Sequence, residues 1–484
     1  MCRKRMIWVL GFMLLALAAV GQSTLSSGST QNLPTSAEQV IGRNQDPYAG
    51  SLPQGKPTGQ VLELTLHDAI QRGLAYNLGL YLSRQSEIQA HGLRRESLAG
   101  ILPNLNGNIN VQAQKLNLEA LGIGGKTVFD GVTFQRSIGP FSTNQAVGAI
   151  SWNILDLHAI NNLRAANENV HASYLSYRDA RETVVTAVCA NYLLAIADDS
   201  QVSAAQAQLD TAKSLWQLAQ DQEKAGLSPF IDTLRANVEV QARQQELTEA
   251  ENQLAKQYIA LARAIGLPVR QKIHVAEAIP YQRLSAVEME SALRRALQNR
   301  PDYLSALAQL RSAERQRAAA WDQYLPSFGF TGNYGVIGYN PLSTSPQWTA
   351  TGAIQIPIFQ GGRIEGEVKQ ADALVAQRRA TVENLRGQIE QDVENALLDL
   401  QSAAKQVDTA VAQLQLATET LAQARDRFRA GVTNNIEVIQ AQDSLVAAND
   451  SYIASVYAYN IAKVSLARAV GSAEQSAMQY LQTP

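Results

Sequence analysis

Two long tracts of the chain are written in heptads. Val202, Ala205, Leu209, Ala212, Trp216 and Ala219 step by three and four, and Val407, Ala410, Leu414, Ala417, Leu421 and Ala424 repeat the same order of sizes. A seven-residue repeat predicts helices wound in a left-handed supercoil, and a seam in which large residues alternate with alanine predicts closely approaching backbones. The proline-free stretch from Ser151 to Ala225 reads as one unbroken helix; about 70 residues at about 1.5 Å each give roughly 105 Å. Ser228 to Ile265 reads as a return helix of about 38 residues, roughly 57 Å. Taken alone, such seams fit a soluble coiled coil.

Four shorter stretches follow a period of two instead. From Asn104 to Gln114 the residues Leu105, Gly107, Ile109, Val111 and Ala113 alternate strictly with asparagines and glutamines. Phe328, Phe330, Tyr334 and Val336 alternate with small and polar residues, as do Trp348, Ala350, Gly352, Ile354, Ile356 and Ile358. A fourth stretch, Ala146 to Ile154 with Trp152, alternates less cleanly. Strands of about ten residues with one apolar and one polar face, and aromatic residues near the ends, suit a transmembrane barrel. Four strands cannot close one, because even the smallest such barrels have about eight. Three copies of the chain would supply twelve, and would set their helices around the same axis as a tube.

The chain also repeats itself. Ala69, Ala90 and Leu102-Pro103 recur as Ala292, Ala313 and Leu325-Pro326 at an offset of 223 (292 − 69), while Gly226 and Ala264-Ile265-Gly266 recur as Gly431 and Ala469-Val470-Gly471 at 205 (431 − 226). The difference places about 18 extra residues in the first copy between Val111 and Ala146, where an insertion belongs in a loop. Each copy reads as two short helices, the first pair broken near Asn77, then strand, strand, long helix, tight tip and return helix. At the tips, Gly226 and Gly431 can close a helix in the left-handed conformation, and Ser228-Pro229 or Thr433-Asn434 restarts the chain.

Composition then bounds the compartment. Arg3, Lys4 and Arg5 precede an apolar run from Met6 to Val20 and small residues to Gly21, which reads as a signal peptide. Its removal takes Lys+Arg from 41 to 38 against 43 Asp+Glu, a net charge of about −5, so nucleic acid is not an expected partner. Cys2 leaves with the signal and Cys189 stands alone, so no disulfide is expected. No later stretch approaches the ~20 apolar residues of a membrane helix, which leaves a barrel as the expected means of crossing. The predicted organisation is a signal peptide over 1–21, a flexible leader over 22–61, a first repeat over 62–266, a connector over 267–286, a second repeat over 287–472 and a tail over 473–484.

In order, and twice over, these segments resemble the TolC-type outer-membrane efflux proteins, the outer membrane factor family. The resemblance covers about Leu62 to Ser472 and rests on the doubled strand entries LPNLNGNI and LPSFGFTG, on IFQGGR at Ile358–Arg363, on the doubled tips KAGLSPFID and RAGVTNNIE, and on AIGLP and AVGS. It implies a mainly α fold with a small β part: a homotrimer whose strands close a 12-stranded barrel in outer-membrane lipid and whose helices form a tube across the periplasm. It implies an exit duct for an inner-membrane transporter, joined through a periplasmic adaptor (membrane fusion) protein. The same family includes ducts for type I protein secretion; a periplasmic coiled-coil scaffold without a pore is the rival from another class.

The tips carry the candidate site. Asp232 and Glu437 occupy matching positions in the first turn of each return helix, where the helix dipole favours a carboxylate by about 0.3 to 1 kcal/mol. The resemblance adds that acids at these positions face the narrowed periplasmic end and help gate it. There the chain departs from the family pattern: Phe428 replaces a tyrosine, Thr433 an arginine and Gln440 a second acid. Gly226, Leu227, Ser228, Gly431, Val432 and Thr433 are expected to meet the adaptor's own hairpin, because a tight turn of small residues permits close approach.

No enzyme, cofactor or metal site is expected. Ala120–Thr127 loosely fits a phosphate loop, but β-like alternation follows it where a helix is required. Histidines 67, 91, 158, 171 and 274 show no metal-ligand spacing. His67, His158, His171 and the Asp198-Asp199 pair read as exposed helix positions.

Overall fold

A computed structural model describes residues 47–120, 128–129, 132–133, 136–276, 281–285, 288–340, 342–433 and 435–481. After a short strand β1 (Leu62–Leu64), the first repeat runs through α1 (Leu66–Tyr76), α2 (Leu78–Ala99), β2 (Asn104–Asn117), the two-residue strands β3 (Val128–Phe129) and β4 (Val132–Thr133), β5 (Ser137–Leu155), α3 (Leu157–Lys224) and α4 (Phe230–Ala264). A strand β6 (Ile273–Val275) leads to the second: α5 (Met289–Asn299), α6 (Pro301–Asp322), β7 (Ser327–Asn340), β8 (Ser343–Gln355), α7 (Arg363–Arg429), α8 (Asn435–Ala469) and a closing α9 (Ala473–Leu481).

The long helices, 68 and 67 residues, span about 100 Å. α3 starts six residues later than its pattern suggests, because Ser151–Leu155 pair as strand and Asp156 caps the helix, accepting from the Ala159 amide at 3.0 Å. The heptad seam is present: Ala205, Leu209 and Ala212 of α3 are buried against Val240 and Leu247 of α4. α3 also holds an 18-residue window with mean hydropathy 1.2, 61% of it buried, and contributes to the largest core cluster among the described residues. That cluster joins Ile70, Val184, Val188, Tyr192 and Ile196 to Leu261, Ile265 and Val464. Cys189 lies within it as a free thiol, which burial pushes up to about 12.

The four long strands form one antiparallel sheet in the order β2-β5-β7-β8. β5 is longer than its alternation suggests, since Ser142, Asn144 and Gly148 interrupt its apolar face, and only the register resolves it. That register sets Leu105 opposite Ile150, Ile109 opposite Ala146, Ala146 opposite Val336, and Tyr334 opposite Trp348. The apolar face runs from Trp152 and Phe330 to Ile109, Ala146 and Val336, and Asn144 interrupts it opposite Val111. The other carries the β2 amides opposite Ser151, Gln145 and Thr143, with Asn333 opposite Thr349. β8 ends at Gln355, short of Ile356 and Ile358, where Pro357 has no amide to donate. The inserted loop of the first repeat holds the β3–β4 pair; residues 121–127 of the phosphate-loop-like motif lie outside the described residues.

Where the short helices meet, the two repeats solve one problem with different chemistry. Asn77 breaks α1 from α2: its Oδ1 accepts from the amides of Gly79 and Leu80 at 2.9 and 3.3 Å, and its Nδ2 donates to the Tyr48 carbonyl at 2.7 Å. Arg300, 223 positions on, is also buried, but binds Asp302 at 2.7 Å and Asp392 at 2.7 Å. Burial alone would raise the Asp302 carboxyl; the Arg300 guanidinium outweighs it and holds the group below the usual range. The described part of the expected flexible leader is in fact tied down. Leu52 and Gln54 donate to the carbonyls of Tyr76 and Gly266, and Gln271 binds Thr58 and the Gln60 carbonyl. The connector likewise contains β6, paired in parallel with β1.

Two further expectations are corrected. His158 is half-buried between α3 and α6. Its Nδ1 lies 2.8 Å from the Ala319 carbonyl, which can only accept, so Nδ1 carries the proton and Nε2 accepts from Asn162 at 2.9 Å. Asp198 is partly buried as well, and burial raises its carboxyl despite a hydrogen bond from Gln253. Helix periodicity could not separate these positions from exposed ones, because neighbouring helices cover several faces of α3.

Asn77→Ala removes a helix cap and the tie to Tyr48, a loss of about 1–2 kcal/mol. Hydrogen exchange of the Leu52 and Gln54 amides, which donate to the Tyr76 and Gly266 carbonyls, should then accelerate in the folded protein. An unchanged rate would mean that the other ties suffice to hold residues 47–60.

Candidate functional site

Both tips end their long helices in the same hydrogen-bonded turn. In the first, the amide of Gly226 donates to Glu223 O at 2.9 Å and that of Leu227 to Gln222 O at 2.9 Å; in the second, Gly431 donates to Phe428 O at 3.0 Å and Val432 to Arg427 O at 3.1 Å. This pattern satisfies the last helical carbonyls and needs a left-handed residue, which Gly226 and Gly431 supply at φ 74° and 69°. Nothing crowds either glycine, so the requirement is conformational only.

The restart residues bind the tip acids. Ser228 Oγ donates to Asp232 Oδ2 at 3.0 Å, and Thr433 Oγ1 donates in the same way to Glu437 Oε2. Each acid also has a cation of its own: Arg235 Nη1 lies 3.3 Å from Asp232, and Arg427 Nη1 lies 3.1 Å from Glu437. Asp232 is buried and Glu437 half-exposed. Both acids therefore sit in charge-balanced clusters, each anchored to a helix start.

The tips also bind one another. Asn435 Nδ2 donates to the Asp232 carbonyl at 3.2 Å, and Gln222 Nε2 donates to the Phe428 carbonyl at 3.4 Å, one bond in each direction. Phe428 is buried with Leu215, Leu421, Ala424, Val438 and Ala441, so a phenyl ring locks α7 to α3 and α8 where a hydroxyl would need a partner. Above them Arg243, buried on α4, binds Glu239 at 2.6 Å, Glu246 at 2.7 Å and Asp443 of α8. Burial alone would lower its guanidinium; Glu246 and Glu239 raise it instead. Gln440 is exposed and lends only its carbonyl, to Ser444. Leu227 and Val432 project at the extreme of the turns, 80% and 70% exposed.

Arg235, Arg427, Gln222 and Asn435 were not singled out by sequence reasoning. Arg235 three residues after Asp232 is a legible helical pair. Arg427 and Gln222 are not, since each reaches across a turn or between hairpins. Among the described residues no group of histidine, cysteine and acidic side chains could hold a metal ion.

Comparison with known proteins follows the same duplication. A family profile described as outer membrane efflux protein matches residues 73–267 and again 292–472. The pyoverdine export outer membrane protein OpmQ of Pseudomonas aeruginosa is 26% identical over 435 residues, which cover 86% of this chain and 87% of that protein. Among solved structures, the CmeC outer membrane channel of Campylobacter jejuni superposes with a TM-score of 0.72 at 19% identity, covering 92% of this chain and 94% of that one. A crystal structure of CusC gives 0.71 at 20% identity, covering 87% and 100%.

Gly431→Val places a β-branched side chain in the left-handed region, at a cost of about 1–2 kcal/mol. Hydrogen exchange of the amides between Asp426 and Val438 should accelerate about 5- to 30-fold, the factor that corresponds to that cost. Gly431→Asn should accelerate it less, because asparagine tolerates that conformation. Equal rates in the valine variant and the parent would remove the conformational argument for glycine.

Proposed function

Since the chain belongs to the outer membrane efflux protein family and is an outer-membrane protein, we propose that it is the exit duct of a tripartite efflux system, built as a homotrimer and served by a periplasmic adaptor and an inner-membrane transporter. The observation that carries this reading is the sheet. Its apolar face is bare, with Ile109 86%, Leu105 78%, Trp348 71% and Tyr334 70% exposed, and its edge strands β2 and β8 have no further partner among the described strands. A long apolar edge strand is unfavourable in water, and open edges are not tolerated in hydrocarbon, so the sheet is suited to lipid only when closed. Twelve strands from three copies close it.

The helices support the same closure. α4 packs on α3, α3 on α8 and α8 on α7, so the helical layer also ends in one first-repeat and one second-repeat element. Leu234, Val238 and Ile259 are exposed on α4, and Leu398, Val411 and Leu416 on α7. In a ring, the β8–α7 edge of one copy meets the β2–α4 edge of the next, a head-to-tail contact that closes after three copies. A soluble scaffold would leave both apolar edges and the sheet face in water.

At the periplasmic end, Asp232 and Glu437 would then surround the narrowed opening together with Arg235 and Arg427, held in place by Ser228, Thr433 and Phe428, with Gln440 exposed beside them. Gly226, Leu227, Ser228, Gly431, Val432 and Thr433 would meet the adaptor. The exposure of Leu227 and Val432 supports this, since two apolar side chains beside uncrowded glycines suit another helical tip.

Two measurements test the reading. The protein should stay with outer membranes through salt and urea washes and migrate as a trimer when unheated; a soluble periplasmic monomer would sink fold and function together. In single-channel recordings, Asp232→Asn with Glu437→Gln leaves Arg235 and Arg427 uncompensated, so preference for cations should fall and block by periplasmic multivalent cations should weaken. Unaltered selectivity and block would confine both acids to their helix-start roles.

A further inference from the structure

The polar face of the sheet is unusual in what it omits. The four strands are 14, 19, 14 and 13 residues long, and their only charged side chain is Lys115, at the irregularity where the β2–β5 register shifts between Gln114 and Leu116. Charge returns beyond the strand ends, where Glu119 and Arg136 approach to 3.9 Å, and in the helices. On β2 the face is an unbroken series of amides, Asn104, Asn106, Asn108, Asn110, Gln112 and Gln114, and all but Gln114 are exposed. Their spacing is about 6.8 Å, twice the rise of an antiparallel strand. Across the sheet polar and apolar partners alternate: Thr143 lies opposite Gln112 and Thr349 Oγ1 donates to Asn333 Oδ1, while Ala149, Val147 and Phe141 lie opposite Asn106, Asn108 and Gln114, so the unbroken polar series is that of β2.

Resting on the duct reading above, we infer that this face is a charge-blind, hydrogen-bonding track, and that the outer-membrane segment passes solutes rich in hydroxyl and amide groups whatever their net charge. A one-signed wall beside low-dielectric lipid would concentrate counter-ions and exclude co-ions, and the effect of each fixed charge grows as the surroundings become less polar. A neutral amide does neither. It offers donors and an acceptor together, so a passing hydroxyl or amide exchanges one neighbour for the next along the strand without shedding all its hydrogen bonds at once. Discrimination by charge is left to the helical segment and its tips, where the acids and arginines reside.

Thiol accessibility in intact outer membranes tests this. Asn108→Cys should react with small cationic and anionic methanethiosulfonates at similar rates, once each is scaled to a free thiol. Thr349→Cys on the same face should do likewise, which guards against one variant failing to assemble. Ile109→Cys, on the apolar face, should resist both reagents; the parent, whose Cys189 is fully buried, gives the background. Adding Asn106→Asp to Asn108→Cys should skew the ratio toward the cationic reagent by about tenfold, the low end of enrichment by a charged cleft. A skew of that size without Asn106→Asp would overturn the neutral track while leaving the duct intact. Reaction at position 109 with none at 108 or 349 would invert the faces and overturn the duct reading itself.

Discussion

A sheet with an apolar face and two unpaired edges is the constraint on which the rest of this protein turns. Each backbone amide and carbonyl along β2 and β8 needs a partner wherever water is absent, and the side chains between them are suited to hydrocarbon. The chain cannot supply those partners alone. Its other features serve the same closure: four strands paired along most of their length, a helical layer that ends in one element of each repeat, and long helices that follow β5 after one residue and β8 after seven.

The duplication shows how far one geometry can be reached by different chemistry. At the first joint, a buried asparagine caps α2 and holds the Tyr48 carbonyl; at the second, a buried arginine bridges two aspartates. Gly266 and Gly471 press against these joints, where an added Cβ would come within 2.5 Å of Tyr76 and 2.7 Å of Arg300. The first solution relies on a segment preceding the repeat. The second relies on charges within it, and so is exposed to acid in a way the first is not: the Asp302 carboxyl, held low by Arg300, contributes stability at neutral pH that is lost as pH falls through its depressed value.

The tips follow the same logic at smaller scale. Serine and threonine hold the two acids, an arginine balances each, and paired amide-to-carbonyl bonds link the hairpins. A buried phenyl ring completes the contact. Separating the hairpins breaks the Asn435–Asp232 and Gln222–Phe428 bonds and the packing of Phe428 with Leu215, while each acid keeps its hydroxyl and arginine within its own hairpin.

Much of this was legible in the chain. Heptads, strict alternation and turn glycines are local signals, because helix and strand periods are set by the backbone; the two offsets then placed the elements in order, located the inserted loop and aligned the tip acids. β5 was harder to read, since its serine, asparagine and glycine residues take a face only through the neighbours they pair with. His158 and Asp198 looked exposed because a helix with partners on several sides has no single polar stripe. The arginines of the tips, the ties of residues 47–60 and the Arg300 bridges join groups far apart in sequence. Local pattern determined which elements form and in what order; tertiary structure decided which polar groups lost water and therefore needed partners, a matter of distance in space that no period along the chain encodes.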